Sequence, residues 1–219
     1  MYMGRNITQD YIRRLELGGK IQPKVSLLRM LFFGIGNRGF RAVHLYRVGR
    51  FFRVRGYNLL AGFVERLIHR LCFCEISTTA DIGPGFCIFH PFGLVVGGEV
   101  KAGKNLTLSM DVVLGGNIGK HRPDGSEKPI LGDNINIGAG CKVVGPIKIG
   151  DNCLIGANSV VVHDMPSDCI IAGVPARVIR RAGKRVMLLE QQGELSKTLS
   201  DLVERIEKLE KKLGSEPNK

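Results

Sequence analysis

The side chains of this chain with the most potential for chemistry are five histidines and six cysteines. Histidine can exchange a proton near neutral pH, and cysteine can act as a nucleophile or as a metal ligand. The cysteines, at positions 72, 74, 87, 141, 153 and 169, lack the paired CxxC spacing that binds zinc. Among the histidines, His90 follows Ile88 and Phe89 and lies fifteen residues after the carboxylate of Glu75. We therefore expect acid–base chemistry and no metal.

The chain is strongly basic, with 32 Lys and Arg against 20 Asp and Glu and a net charge of +12. A basic balance favours polyanions, anionic membrane surfaces or phosphorylated ligands. The excess is greatest between Arg38 and Arg70, where aromatic residues are interleaved. No nucleic-acid recognition motif accompanies it, so we expect no nucleic acid. These basic helices could rest on the inner face of a membrane, or simply present a solvated face.

The first twenty residues lack the apolar segment of a secretory signal. A reducing cytoplasmic setting is the expectation that follows.

Aliphatic residues recur at every sixth position, which fits neither a helix nor a plain strand. One register contains Ile76, Ile82, Ile88, Leu94, Val100, Leu106, Val112 and Ile118, and a second contains Leu131, Ile137, Val143, Ile149, Ile155 and Val161. This period predicts short strands separated by corners, three to each eighteen-residue turn of a parallel β-helix. Ile76, Leu94 and Val112 should then stack in one column, and Ile82 and Val100 in the next. Small inward-facing fillers are expected two residues earlier in the second register, at Cys141, Ile147, Cys153 and Ser159.

The predicted organisation has three parts. Residues 1–73 form a helical segment, residues 74–180 form the β-helix with an extruded loop at 117–130, and residues 181–219 form a C-terminal helix. The last part carries a heptad seam of apolar residues: Leu195, Leu199, Leu202, Ile206, Leu209 and Leu213. This spacing predicts a parallel coiled coil with Arg205 and Glu210 at its flanks. The alternative is an amphipathic helix that packs on its own domain.

An ordered series of motifs between about 70 and 180 carries a family resemblance. The motifs are Glu75-Ile76-Ser77, Ile82-Gly83-Pro84-Gly85, Ile88-Phe89-His90, Leu114-Gly115-Gly116, Ile137-Gly138-Ala139-Gly140, Ile155-Gly156-Ala157-Asn158 and Ala172-Gly173-Val174-Pro175-Ala176-Arg177. They resemble the hexapeptide acyltransferases: serine acetyltransferases and, equally, O-acetyltransferases of capsular and exopolysaccharide synthesis. The resemblance implies a mainly β protein with a left-handed parallel β-helix. It also implies a homotrimer with acetyl-CoA between its subunits.

The resemblance implies roles for individual residues. His90 matches the general base that takes the proton of an acceptor hydroxyl, and Glu75 matches the carboxylate that orients the imidazole. Gly115 or Gly116 would allow backbone N–H groups to approach the oxyanion.

Other matches concern the co-substrate. Gly116, Ala139 and Ala157 match positions that line the pantetheine arm, although small residues at corners also serve turn geometry. Arg177, and after it Arg180 or Arg181, could meet the phosphates of CoA.

Two departures from serine acetyltransferases bear on the acceptor. Phe89 replaces an acidic residue that precedes the base, and Glu127-Lys128 replace an Arg-His pair in the loop. His121 or Lys128 could supply a second catalytic group. Because a buried ammonium needs a partner, these changes favour a sugar hydroxyl of a surface polysaccharide or its precursor, with Phe89 in the acceptor pocket. The alternatives are serine O-acetylation, a carbonic-anhydrase-like β-helix and a non-catalytic scaffold.

Overall fold

Four helices precede the first strand in the computed structural model, which describes residues 2–19, 27–117, 119–123, 125–185, 200–203 and 205. The helices are α1 (Tyr2–Glu16), α2 (Leu27–Gly36), α3 (Arg38–Arg53) and α4 (Asn58–Cys72). Helix α3 begins where the Asn37 side chain accepts a hydrogen bond from the Phe40 backbone N–H at 2.8 Å, a standard N-cap. Helix α4 ends at Phe73, whose backbone is left-handed.

A buried ion pair joins the helices to the β-structure. Asp10 of α1 accepts hydrogen bonds from Arg47 of α3, at 2.8 Å from Nε, and from the Phe86 backbone N–H at 2.8 Å. Arg47 also donates to the carbonyl oxygens of Ile82 and Gly83. Because every polar group of this pair has a partner, the pair fixes α1 and α3 on the first turn of the coil.

Sixteen strands follow in the described residues. They are β1 (Glu75–Ile76), β2 (Asp81–Ile82), β3 (Cys87–Ile88), β4 (Val95–Val96), β5 (Lys101–Ala102), β6 (Thr107–Leu108), β7 (Val113–Gly115), β8 (Ile130–Leu131), β9 (Asn136–Ile137), β10 (Lys142–Val144), β11 (Lys148–Ile149), β12 (Leu154–Ile155), β13 (Val160–Val161), β14 (Cys169–Gly173), β15 (Ala176–Arg181) and β16 (Lys184–Arg185). Strands three apart in sequence pair in parallel: sheet A holds β1, β4, β7, β10 and β13, sheet B holds β2, β5, β8 and β11, and sheet C holds β3, β6, β9 and β12. Sheet C continues with β14, which pairs in parallel with β12, and then with β15 and β16. This arrangement is the predicted left-handed parallel β-helix, which is confirmed.

The second register of the sequence period is confirmed, since each of its six residues lies on a strand and is buried. The four predicted fillers are also buried. Of the predicted columns of the first register, Leu94 and Val112 do align in successive turns, but the places of Ile76 and Ile82 are wrong. Ile76 pairs with Val96, not with Leu94, and Ile82 pairs with Ala102, not with Val100.

The cause is one long corner. Residues 89–94, between β3 and β4, number six, whereas the corresponding corners at 109–112, 138–141 and 156–159 each number four. The two extra residues shift the phase, so the every-sixth positions after Ile88 fall in corners, where Leu94 and Val112 are still fully buried. The long corner contains His90.

The corners between sheets B and C, called the B–C edge, carry a ladder of side-chain hydrogen bonds. Asn105 donates to Asn134 at 2.8 Å, Asn134 to Asn152 at 2.9 Å, and Asn152 to Asp168 at 2.9 Å. All four residues have φ between 56° and 60°, a left-handed conformation that Asn and Asp tolerate better than most residues. The ladder links successive turns of the coil.

The coil ends in an antiparallel three-stranded meander of β14, β15 and β16. Residues 200–203 and 205 are helical, and Leu202 is exposed. The other apolar positions of the heptad seam, and Glu210, lie outside the described residues, so the coiled coil stays a prediction. No helix in the described part of the chain is long and apolar enough to cross a membrane.

Candidate active site

His90 lies at the corner between sheets C and A, and its backbone has a φ of 54°. Residues at other corners of the coil, such as Asp111 and Asn158, have the same left-handed conformation. The imidazole is exposed, and no hydrogen bond or ion pair to it is found among the described residues. It opens onto a cavity of about 520 Å³. We call this space the arginine cavity; its polar lining consists of Arg14, Asn37, Arg38, Arg41 and His90.

The corners between sheets C and A, called the C–A edge, stack by backbone hydrogen bonds. Successive turns are linked by bonds from Gly93 to Phe73, from Asp111 to Phe92, from Gly140 to Met110 and from Asn158 to Ala139. Ala139 and Ala157 therefore lie on the same edge as His90. Both side chains are small, and the role beside the pantetheine arm that the family resemblance implied for them stays a prediction.

Glu75 begins β1, on the outer face of sheet A. Its carboxylate lies 3.6 Å from Nδ1 of His69, and both side chains are mostly exposed. These two residues line a second groove, of about 700 Å³, between α4 and sheet A. The structure therefore pairs Glu75 with His69 and not with His90, and a Glu75–His90 dyad stays a prediction.

Gly115 and Gly116 lie at the end of β7, on the opposite side of sheet A from His90. A Cβ atom at Gly116 would lie 3.1 Å from the Glu127 carbonyl oxygen, so the extruded loop passes close to the backbone at this glycine. Within that loop, Nδ1 of His121 lies 3.1 Å from the Glu127 carboxylate. The loop groups thus surround Gly116, and a single chain does not bring them to His90.

Arg122 holds the loop against the coil. Its Nη2 donates to the carbonyl oxygens of Lys128 at 2.6 Å and Ile147 at 3.2 Å. Arg177, on β15, is exposed and donates to the Ala176 carbonyl oxygen.

Phe89 does not line the arginine cavity. The guanidinium of Arg14 lies 4.3 Å from the centroid of the Phe89 ring and covers its face. One face of the ring is therefore occupied, and the role of Phe89 in an acceptor pocket stays a prediction.

The sequence did not single out Arg14, Arg38 and Arg41 as site residues. The basic, aromatic composition of the helices was visible, but it was interpreted as a surface for polyanions or membranes. The packing of α1 and α3 on the coil turns these three arginines toward His90 instead.

The described residues contain no group of three His, Cys, Asp or Glu side chains able to hold a metal ion. The six cysteines are buried and free. Burial raises the pKa of the thiols of Cys74 and Cys87 to about 12, so both stay protonated and poorly nucleophilic near neutral pH. The imidazole of His90 is therefore the strongest candidate for proton transfer in this region.

Comparison with known proteins identifies the family. The model of the bacterial transferase hexapeptide (six repeats) matches residues 128–163. A serine acetyltransferase of Synechococcus elongatus is 37% identical over 178 residues, covering 80% of this chain and 72% of that protein.

Solved structures agree with this result. Neisseria gonorrhoeae serine acetyltransferase in complex with serine superposes with a TM-score of 0.68 at 29% identity, covering 80% of this chain and 68% of that one. A serine acetyltransferase in complex with CoA gives a TM-score of 0.59 at 31% identity, covering 65% of this chain and 57% of that one.

These relatives overturn the expectation of a polysaccharide O-acetyltransferase, which is wrong. Of the two departures that suggested it, Phe89 has the Arg14 guanidinium over one ring face, and Glu127 pairs with His121 within the loop. By its relatives and its fold, the chain belongs to the serine acetyltransferase family of acyltransferases.

Proposed function

We propose that the chain transfers the acetyl group of acetyl-CoA to the hydroxyl of L-serine, giving O-acetylserine and free CoA. The observation that carries this proposal is the exposed imidazole of His90, at the one lengthened C–A corner of the described coil and at the mouth of a cavity. A base in this position can reach a hydroxyl group that enters the cavity. Membership of the serine acetyltransferase family supports serine as that acceptor.

The proposed reaction needs one base acting twice. His90 takes the proton of the serine hydroxyl as the oxygen attacks the thioester carbonyl, and the resulting imidazolium returns the proton to the departing sulfur. Histidine suits both steps because its two forms interconvert near neutral pH. The thioester supplies an activated acyl group and a good leaving group.

The residues of the C–A edge fit the long arm of acetyl-CoA. Ala139 and Ala157 add little bulk beside the coil, and the backbone groups of these corners lie in a continuous row. Arg177 is exposed near the end of the coil and could meet a phosphate. These residues are proposed to hold the co-substrate.

We also propose that the chain works as a homotrimer. His90 and the Gly115–Gly116 segment lie on opposite sides of sheet A, so a site that uses both needs the C–A edge of one copy beside the loop of another. Phe73, Phe92 and Met110 expose 54%, 41% and 42% of their surfaces along the C–A edge, as expected for a face that another copy covers. Light scattering of the purified chain tests this, and a monomeric active enzyme would contradict it.

Purified protein mixed with acetyl-CoA and L-serine tests the activity. Thiol release should depend on serine, and mass spectrometry should show serine heavier by one acetyl group. A reaction without acceptor measures background hydrolysis. Serine-independent thiol release, or none at all, would refute the proposal. Contact of the basic helices with an anionic membrane is a separate prediction, tested by sedimentation with anionic liposomes at low salt.

A further inference from the structure

The arginine cavity has an uncompensated positive charge. Three guanidinium groups, from Arg14, Arg38 and Arg41, line it together with His90, and no Asp or Glu among the described residues does so. A ligand that enters this space meets cations on several sides. Charge complementarity therefore favours a ligand with a negative group.

The rest of helix α3 shows that this lack of carboxylates is local. Three arginines further along the helix each meet a carboxylate: the pairs are Arg47–Asp10, Arg50–Asp81 and Arg53–Glu65, at 2.8, 3.0 and 3.4 Å. Arg38 and Arg41, in the first turn of the same helix, have no such partner in the described part of the chain. The fold thus neutralises the arginines that bind the coil and leaves charged those that face the cavity.

Aromatic rings and carbonyl oxygens hold the cavity arginines in place. The guanidinium of Arg38 lies 5.4 Å from the centroid of Phe92, and that of Arg14 lies over Phe89. Arg41 donates to the carbonyl oxygens of Ile35 and Leu71. Contact with a ring face fixes a guanidinium while leaving its in-plane N–H donors free.

We propose that the arginine cavity binds the acceptor by its carboxylate, and that the ammonium group of the acceptor contributes little to recognition. The substrate class is then a short carboxylate with a hydroxyl on its β-carbon, of which serine is one member. This inference rests on the proposed function, because it assigns the hydroxyl of the same molecule to His90.

The phosphates of acetyl-CoA offer the same anionic chemistry. In that molecule, however, the phosphates lie at the opposite end of the pantetheine arm from the thioester. The cavity opens beside His90, where the thioester has to react, so the acceptor is the better source of the anion.

Three acceptor compounds separate the contributions of the carboxylate and the ammonium group of serine to recognition. L-Serine has both charged groups, 3-hydroxypropanoate lacks the ammonium, and ethanolamine lacks the carboxylate. Thiol release is the readout. We expect kcat/KM for 3-hydroxypropanoate to lie within about tenfold of that for serine. For ethanolamine we expect kcat/KM to be at least about a hundredfold lower than for serine, because the hydrogen bonds to the charged carboxylate are lost. Ethanolamine equal to serine, or serine active and 3-hydroxypropanoate inert, would overturn the inference.

The outcomes distinguish the inference from the proposed function. Activity on 3-hydroxypropanoate without activity on serine would refute serine O-acetylation and leave carboxylate recognition standing. Calorimetric titration of the same three compounds covers the case of no turnover with any of them. Absence of heat with both carboxylates would then overturn the inference.

Variants identify the source of the anion. Arg38→Gln should raise KM for serine at least about tenfold and leave KM for acetyl-CoA unchanged. Arg38→Lys keeps the charge and should recover part of the loss. Arg55→Gln is the matched control, since Arg55 also lies over an aromatic ring, 3.5 Å from the centroid of Phe51, but outside the cavity. A rise in KM for acetyl-CoA alone would assign the arginines to phosphates and overturn the inference.

Discussion

The B–C edge and the C–A edge of the coil share the same left-handed corner conformation but differ in what their side chains contact. At the B–C edge, three asparagines and Asp168 hydrogen-bond to one another from turn to turn. At the C–A edge the turns are linked mainly through backbone atoms, with an added contact from Lys142 to Asp111, and side chains such as those of His90 and Phe92 are exposed. The first edge uses a continuous ladder of polar side chains to stabilise the coil, whereas the second leaves the His90 imidazole free to contact other molecules.

This difference explains why the lengthened corner is tolerated where it occurs. Two extra residues in the C–A edge at 89–94 break no side-chain ladder. The same insertion at the B–C edge would misalign the asparagines. A regular coil can therefore carry an irregular corner on one edge while another edge keeps its register.

The largest effect is expected at His90. His90→Ala should lower kcat for serine acetylation about a hundredfold, since a positioned general base contributes at least that much, which corresponds to about 2.7 kcal/mol of activation free energy. The midpoint of thermal unfolding should stay unchanged because the side chain is exposed. Steady-state thiol release and a thermal melt measure the two quantities.

His163→Ala is the control for that variant. His163 is also exposed but lies next to the turn at Asp164 and Met165, away from the C–A edge. Its activity should equal that of the unmodified chain. Equal activity of the His90 variant would remove His90 from the mechanism and end the functional contrast between the edges.

A substitution at the B–C edge should change the stability of the chain and not its activity. At Gly132, a Cβ atom would lie 2.9 Å from the Asp151 backbone N and 3.0 Å from the Gly150 carbonyl carbon in the next turn. Gly132→Ala should therefore lower the free energy of unfolding by about 1–3 kcal/mol, the usual cost of overpacking. Denaturant titration followed by circular dichroism measures it.

Gly62→Ala is the matched control for that substitution, because a Cβ atom at Gly62 in helix α4 meets nothing within 4 Å. Alanine there should stabilise the chain by up to about 1 kcal/mol. If the two variants were equally stable, the turns at the B–C edge would not be as tightly stacked as the structure indicates.

A smaller effect isolates the asparagine ladder. Asn134 and Asn158 have φ values of 58° and 56°, but the side chain of Asn134 belongs to the B–C ladder, while Asn158, on the C–A edge, has no side-chain hydrogen bond in the described structure. Alanine causes similar backbone strain at both positions. Asn134→Ala should therefore cost about 1–2 kcal/mol more than Asn158→Ala, because the two ladder hydrogen bonds of Asn134 are lost. Equal losses in denaturant titration would show that the ladder adds nothing to stability.

The sequence predicted the coil better than it predicted the site. After the extruded loop, every predicted strand position is occupied, because the corners there have a constant length. Before the loop, the phase was lost at 89–94, because aliphatic residues at Leu94 and Val100 fill corners as readily as strands. The residue type alone does not distinguish a corner position from a strand position.

The residues of the candidate site likewise fall into those that the sequence could predict and those that it could not. His90 was visible from a local motif, whereas Arg14 and Arg38 reach the cavity through helix packing. That packing depends on the Asp10–Arg47 pair, which joins residues 37 positions apart and leaves no periodic trace in the sequence. The contact of Arg14 with Phe89 could not be predicted for a related reason, since Arg14 belongs to α1.

The smallest effect concerns the third edge, between sheets A and B, where helix α4 supports the first corner. Glu65 accepts hydrogen bonds from the backbone N–H and the hydroxyl of Thr78, both at 2.6 Å, and lies 3.4 Å from Arg53. Burial by itself would raise the pKa of Glu65, but these bonds and the Arg53 charge lower it below 4.5. Because the folded pKa is depressed, the ionised group stabilises the fold above its unfolded pKa, and this contribution disappears as pH falls through the folded value.

Glu65→Gln should therefore lower the free energy of unfolding at pH 7 by less than about 1 kcal/mol, since the pair is partly exposed. The difference from the unmodified chain should shrink as pH falls below 4.5 and vanish once Glu65 is protonated in both states. Glu16→Gln, at an exposed position on α1, should show no such dependence. Denaturant titrations at pH 7, 5 and 3 measure the trend. A constant difference across this range would mean that the amide loses packing and not charge, and that α4 supports the third edge through shape alone.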